Sequence, residues 1–155
     1  MSNILTSQSQ WLYIEVINDI SFATLSNFLN DVSYLYPNFS AWLNFTFRRN
    51  LSSGQRQIVL AHDQTKIIGI CLLKNTASEK KICTYYVEPS YRGLGIGGKL
   101  LSTSLELLDS GDSFITVSAE RKTEIEQSLK TKGFKAYKSI QGLYREESAE
   151  FIYRL

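Results

Sequence analysis

Residues 83–101 read CTYYVEPSYRGLGIGGKLL, and the interpretation of this stretch governs that of the whole chain. It passes from a β-branched and aromatic run at 83–87, through a turn containing Pro89, into a glycine-rich loop and then into leucines at helical spacing. Gly93, Gly95 and Gly97, with Gly98 beside them, let backbone approach a ligand with its N–H groups uncovered. A helix that begins there adds unpaired N–H donors and the positive end of its dipole. Together these features predict an anion cradle suited to phosphate.

Spacing separates the kinds of phosphate cradle. A nucleotide P-loop needs a hydroxyl residue after Gly-Lys, but Gly98-Lys99 is followed by Leu100. The dinucleotide pattern G-x-G-x-x-G is met literally by Gly93 to Gly98. It also requires an acidic residue about 20 positions on, at the end of a second parallel strand. The strand expected at 114–118 ends without one, and Glu120 lies just beyond it. The run Arg92-Gly93-Leu94-Gly95-Ile96-Gly97 instead matches [Arg/Gln]-x-x-Gly-x-[Gly/Ala], directly after a strand ending Val87-Glu88-Pro89. With Tyr85-Tyr86 before it and Leu100-Leu101 after it, the chain resembles the GNAT superfamily of N-acyltransferases, whose motif binds the pyrophosphate of acyl-coenzyme A. The resemblance implies acetyl-CoA as co-substrate. Arg92, Gly93, Leu94, Gly95, Ile96, Gly97, Gly98 and Lys99 would surround the pyrophosphate, and backbone groups of Tyr85, Tyr86 and Val87 would run along pantetheine. Gly95→Asp or Gly97→Asp is then expected to abolish CoA binding and leave a folded protein.

Composition bounds the alternatives. The 155 residues make one domain, 1–155, large enough to bury a core without staples. A net charge of +2 with 43% hydrophobic residues fits neither a disordered chain nor a polybasic nucleic-acid binder. No early segment joins basic residues to an apolar run of about 7–15 residues, so a cytoplasmic protein without a membrane span is expected. Two cysteines and one histidine, His62, do not make a conventional zinc site, and no metal is expected. A monomer or homodimer is anticipated.

Strand-forming residues with partial alternation occupy 11–17. Ser21 can cap a helix whose Phe22, Leu25, Leu29 and Val32 share one face, and Pro37 lies in the stretch that breaks it. Ser40 is expected to cap a second helix with Leu43, Phe47 and Leu51 on one side. Strands are expected at 56–61 and 66–73. The latter, apolar on both faces, should lie at the centre of a covered sheet. Next come a strand at 81–87, the cradle helix to about 109, and a strand at 114–118, a βαβ unit whose two strands should be parallel. A further helix stops at Gly133, before strands at 134–140 and 149–155. A hairpin centred on Ala77 would set Cys71 opposite Cys83, where a cross-strand disulfide is conceivable and reduced core thiols are expected. This order is also that of the GNAT fold. The expectation is therefore an α/β domain with a mixed, mostly antiparallel sheet of six to seven strands, the parallel pair splayed around pantetheine and helices on both faces.

The implied reaction is acyl transfer, usually of acetyl, from the CoA thioester to a primary amine by direct attack in a ternary complex. At pH 7 a lysine acceptor costs about 4.6 kcal/mol to deprotonate and an α-amine roughly 1–1.5 kcal/mol. His62 has a suitable pKa but falls at a turn away from the acyl site. Glu120 and Glu88 come just after the two parallel strands, and Glu120 is the candidate base. Many family members carry a proton-donating tyrosine five residues before the phenylalanine of Gly133-Phe134; here that position is Leu129. Tyr144, Tyr137 and Tyr86 are possible substitutes, and Tyr144 is preferred. Tyr34, Tyr36, Trp42 and Tyr144 could wall a pocket for a small-molecule or peptide amine. Arg48, Arg49 and Arg56 form a basic cluster that could face an acidic peptide or RNA. Nucleic acid is not expected, apart from an aminoacyl-tRNA acceptor such as some toxin members of the family use. The alternatives are a catalytically weak acyl-CoA-binding module acting through a partner and, more remotely, a dinucleotide-binding domain.

Overall fold

The apolar run at 67–73 forms the core of β4 (Ile67–Asn75), in which six consecutive residues, from Ile68 to Leu73, are buried. The computed structural model describes residues 2–7 and 10–155, with side chains from residue 12 onward; the side chain of Trp11 lies outside the described residues. Before β4 come β1 (Ser2–Ser7), β2 (Gln10–Ile17), α1 (Phe22–Phe28), α2 (Asn30–Ser33), α3 (Phe39–Ala41) and β3 (Arg56–His62). After it come β5 (Lys80–Val87), α4 (Ile96–Leu108), β6 (Phe114–Ser118), α5 (Lys122–Thr131), β7 (Lys135–Gln141) and β8 (Ala149–Arg154).

The eight strands form one sheet in the order β1-β2-β3-β4-β5-β6-β8-β7. All neighbours are antiparallel except β5 and β6. The mixed, mostly antiparallel architecture with a parallel β5/β6 pair is the one expected. The additional strand is β1, a polar segment without the alternation that marks a half-buried strand; it pairs along β2 from Ser2↔Glu15 to Ser7↔Gln10.

Two apolar layers cover the sheet. On one face Leu100, Leu101 and Leu108 of α4 and Ile125 and Leu129 of α5 pack on Val59, Cys71, Ile82, Ile115 and Tyr153. On the other, Phe22, Leu25, Leu29, Val32, Leu43 and Phe47 pack on Ile58, Leu60, Ile70, Leu72 and Tyr86. Each fully buried side chain of this size contributes about 1.5–3 kcal/mol. The close seat of α4 on β4 depends on Gly69, where a Cβ would meet Leu100 Cδ1 at 2.8 Å.

Ser21 accepts from Thr24 N at 3.3 Å, capping α1 as expected. The second helix starts two residues earlier than expected, with Asn38 in place of Ser40 at its cap, in the left-handed region (φ 62°). It then widens into a π-helical segment at Trp42–Phe47, which turns Trp42 and Phe47 toward each other with centroids 5.6 Å apart.

The β4–β5 register corrects the expected cysteine pair. Leu72 faces Thr84 and the next residue, Leu73, faces Ile82, so Cys83 is the extra residue of a bulge and Cys71 faces Tyr85. Both thiols are free.

Candidate active site

The chain leaves β5 through a short 3₁₀ turn, Pro89–Tyr91, and Arg92 folds back so that its Nε donates to Val87 O at 3.0 Å. Gly93 and Gly95 then take φ of 81° and 84°, a region costly for residues with a Cβ. Nothing lies within 4 Å of where a Cβ would stand at either position. Gly95 precedes α4 without any side-chain cap, so the first N–H groups of the helix point into open space. Beside them is a cavity of about 240 Å³, walled by Arg92 and Gly95 to Gly98 on one side and by Tyr85, Val87, Glu124 and Ser128 on the other. Open N–H donors, a helix dipole and a flanking arginine suit a phosphate group.

This cavity opens beside a gap in the sheet. β5 and β6 pair only at Lys81↔Phe114 and Ile82↔Ile115, then separate although both strands continue. Arg121 reaches into the gap, is 6% exposed, and donates from Nη2 to Tyr85 O at 2.6 Å. Glu124 ties it down, accepting from Arg121 at 2.8 Å and pairing with Arg92 at 3.2 Å.

A second cavity of about 210 Å³ lies on the other face of the sheet. Tyr36, Phe39 and Trp42 form one wall, Tyr144 closes it, and Arg56, Lys74, Glu79, Lys81, Cys83 and Thr84 line the sheet side. The bulge explains the last two: an extra residue places neighbouring side chains on one face. Tyr36 and Tyr144 meet edge-on at 5.6 Å, and Lys81 donates to Tyr144 Oη at 2.8 Å. Burial alone would lower the Lys81 pKa, but Tyr144, Cys83 and Glu79 hold it above the ordinary lysine value. Burial pushes the Cys83 thiol up and keeps it neutral.

At the C-terminal end of β6 two polar side chains are buried without a hydrogen-bond partner among the described residues. They are Ser118, through Oγ, and its cross-strand neighbour Glu150, through Oε1. Glu150 is 1% exposed, and burial pushes its carboxyl up to about 7, opposed by Arg145 and Lys81 and reinforced by Glu120. Its charge also acts on Tyr36, in the wall of the second cavity. Glu120 is the opposite case. Arg145 grips it with two hydrogen bonds, at 2.5 and 2.8 Å, and these hold its carboxyl down to about 2.

Residues 32–142 match the acetyltransferase (GNAT) domain family. The chain belongs to the GNAT acetyltransferase family. No curated protein matches it. Among solved structures it is similar to Arabidopsis thaliana NAA60 in complex with acetyl-CoA (TM-score 0.72, 15% identity, 93% of this chain and 97% of that one). It is also similar to a GNAT-family acetyltransferase from Desulfovibrio desulfuricans (0.68, 16%, 93% and 98%). A third likeness is to Arabidopsis thaliana Naa50 in complex with the bisubstrate analogue CoA-Ac-MVNAL (0.62, 21%, 90% and 96%). At these identities the likeness is one of fold.

Within this GNAT domain, Arg92, Gly93, Gly95, Ile96, Gly97 and Gly98 wall the first cavity together with Tyr85 and Val87, whereas Leu94 and Lys99 are exposed and outside its wall. Tyr86 faces the opposite layer, donating to Asp31 at 2.9 Å. Gly97 differs from the expectation of a bare loop position, because a Cβ there would stand 2.2 Å from Tyr85 Oη. Gly97→Asp therefore disturbs packing as well as binding. Of the anticipated acceptor wall, Tyr36, Trp42 and Tyr144 come together, while Tyr34 is 70% exposed and outside the cavity. The basic cluster does not assemble: Arg48 lies over Phe22 and Arg49 is exposed, while Arg56 alone enters the cavity.

As a base, Glu120 is hindered by its ion pair, which makes it acidic and occupies both oxygens. Glu88 accepts from its neighbour Ser90. His62 pairs with Glu15 at 2.8 Å and stacks on Tyr13, on strands remote from the gap. Leu129 is fully buried in the α5 core. Sequence reasoning missed Arg121 and Glu150. The alternation of Glu150 with Ile152 is the only local sign, and a lone carboxylate in a strand ordinarily reads as solvent-facing. Its burial results from β8 inserting between β6 and β7.

Proposed function

We propose that this GNAT domain transfers an acetyl group from acetyl-CoA to a primary amine by direct attack in a ternary complex. The observation that carries this reading is the gap between β5 and β6, with an anion cradle on one side and an aromatic, polar cavity on the other. Acetyl-CoA would place its pyrophosphate on the α4 N-terminus and pass its thioester through the gap toward the second cavity. Two similar structures hold acetyl-CoA or an analogue joining CoA to a peptide, which supports donor and acceptor meeting directly.

The neutral amine attacks the thioester carbonyl carbon, the C–S bond breaks, and CoA leaves as thiolate. The proton shed by the nitrogen passes through water to Glu150, whose carboxyl stands near neutrality and lacks a fixed partner on Oε1. Tyr144 then protonates that thiolate sulfur to give the CoA thiol, and the phenolate it becomes, held by Lys81, is reprotonated from water. The Tyr144 oxygen already accepts from Lys81, which leaves its own O–H free to point elsewhere. A CoA thiolate is a good leaving group, so this second role is worth less than the first.

Titration with acetyl-CoA, then thiol release against a panel of amines, tests the proposal. Acetyl-CoA binding with acceptor-dependent release supports it. Binding with no release from peptides, polyamines, amino acids or aminoglycosides would replace it with a binding module, and absence of binding would end it.

A further inference from the structure

The second cavity carries positive charge that the protein does not neutralise. Lys74 is matched by Glu79. Arg56 and Lys81, by contrast, form no ion pair with any carboxylate among the described residues. Arg56 is 8% exposed, and its contacts are a weak hydrogen bond to Cys83 Sγ at 3.5 Å and the face of Trp42 at 5.6 Å. Its other donors are not sealed in protein, since the buried unpartnered nitrogens belong to Arg121 and Arg145. They open on the cavity. Glu79, the one carboxylate among the described residues of the wall, is paired with Lys74 and acts on Arg56 and Lys81 only at longer range, so three cations share one counter-charge and an anionic ligand group completes the balance.

The remaining walls limit what else the ligand contains. Tyr36, Phe39, Trp42 and Tyr144 give it an aromatic side. At about 210 Å³ the space is smaller than that of pockets for drug-sized molecules, roughly 300–1,000 Å³. A planar carboxylate fits the fork of Arg56 better than a spherical anion does, because two parallel N–H···O bonds can form.

We infer that the acceptor is a small amine that also carries a carboxylate, held by Arg56 and Lys81 while its amine faces the gap between β5 and β6. This rests on the acetyl-transfer reading above and narrows it from any primary amine to molecules the size of an amino acid. An α-amine next to a carboxylate is also less basic than a lysine side chain in peptides, so less is asked of the proton acceptor.

The test pairs each amino acid with its own carboxamide at saturating acetyl-CoA, monitoring thiol release and comparing kcat/KM per unprotonated amine. Dipeptides with an acidic second residue form a separate arm, distinguishing a side-chain carboxylate from an α-carboxylate. The acids are expected to be preferred by tenfold or more. Arg56→Met is expected to raise KM for the acids and erase that preference with acetyl-CoA affinity unchanged, while Arg56→Lys retains part of it. Acetyl-CoA titration of each variant shows that it is folded. Equal rates for acids and amides, or a loss in Arg56→Met that falls alike on both, would overturn the inference and leave acetyl transfer standing. Absence of release from every acceptor, neutral amines and polyamines included, would remove acetyl transfer and the inference with it.

Discussion

Gly97→Ala should destabilise the protein through a single contact, and that contact can be removed independently. The new methyl would stand 2.2 Å from Tyr85 Oη, far inside van der Waals range, whereas the next atom, Tyr85 Cζ, is at 3.3 Å. Tyr85 is 4% exposed and donates to Ser128 Oγ at 3.2 Å, so its ring has little room to withdraw. Overpacking of this kind costs about 1–3 kcal/mol, and loss of the Tyr85–Ser128 bond adds about 1 kcal/mol. Alanine in place of glycine in a helix returns up to about 1 kcal/mol, leaving a net loss of roughly 1–4 kcal/mol. Tyr85→Phe alone should cost about 0.5–1.5 kcal/mol. In the Gly97→Ala/Tyr85→Phe double variant the 2.2 Å clash is gone and only the 3.3 Å contact with Cζ remains, so adding the alanine to the phenylalanine background should cost less than about 1 kcal/mol. Urea unfolding of the four proteins gives the coupling, and calorimetric titration reports acetyl-CoA affinity. If Gly97→Ala is as stable as the parent, or the phenylalanine fails to rescue it, the assigned packing of Tyr85 against α4 is wrong.

Glu150→Gln is expected to lower kcat about 10²-fold or more and to remove an acid limb near pH 7 from the rate profile. The same variant has a stability signature. Glu150 titrates at about 7 when folded, against about 4.3 unfolded, so the folded state keeps a proton that the unfolded state has lost between these values. Wild-type stability should therefore fall as pH rises through that window and level off above it. The glutamine variant lacks this slope and gains on the order of 1–3 kcal/mol at pH 8; parallel urea curves at pH 5 and pH 8 decide the point. Tyr144→Phe should reduce kcat more than about tenfold with acetyl-CoA affinity unchanged, and an unaltered kcat would remove the hydroxyl from the mechanism. Cys83 should react with iodoacetamide at least about tenfold more slowly than a free thiol at pH 7, because burial keeps it neutral. Mass spectrometry of timed samples measures this, and labelling at the free-thiol rate would contradict the burial.

The βαβ unit and its cradle were legible because their signals are local. Glycine spacing, a proline after a strand and a leucine stripe each act within a few residues. The central position of β4 was likewise visible in a run apolar on both faces. What stayed hidden depends on pairing between distant segments. Glu150 becomes buried only because β8 docks beside β6, and the guanidinium of Arg121 reaches Tyr85 across the gap only because the two strands part. Two offsets defeat a hairpin centred on Ala77: the turn centres between Ala77 and Ser78, as Asn75 faces Lys80, and the bulge at Cys83 shifts the register by one residue more. Tyr34 and Tyr36 looked equivalent in sequence. The chain turn between them sends one to solvent and the other into the cavity.

A sheet that opens in its middle has two extra edges, and edges invite pairing with the wrong chain. Beyond Ile82 and Ile115 the facing backbones of β5 and β6 no longer satisfy each other. The Arg121 side chain meets this hazard: it occupies the Tyr85 carbonyl that an intruding strand would seek. Glu124 and Arg92 hold it there, so this part of the interior edge of β5 is guarded by side chains already in place. The same arrangement predisposes the protein to partner exchange. Any incoming group that donates to that carbonyl can take the place of a guanidinium that retains its ion pair with Glu124, so opening the gap does not strand a buried charge.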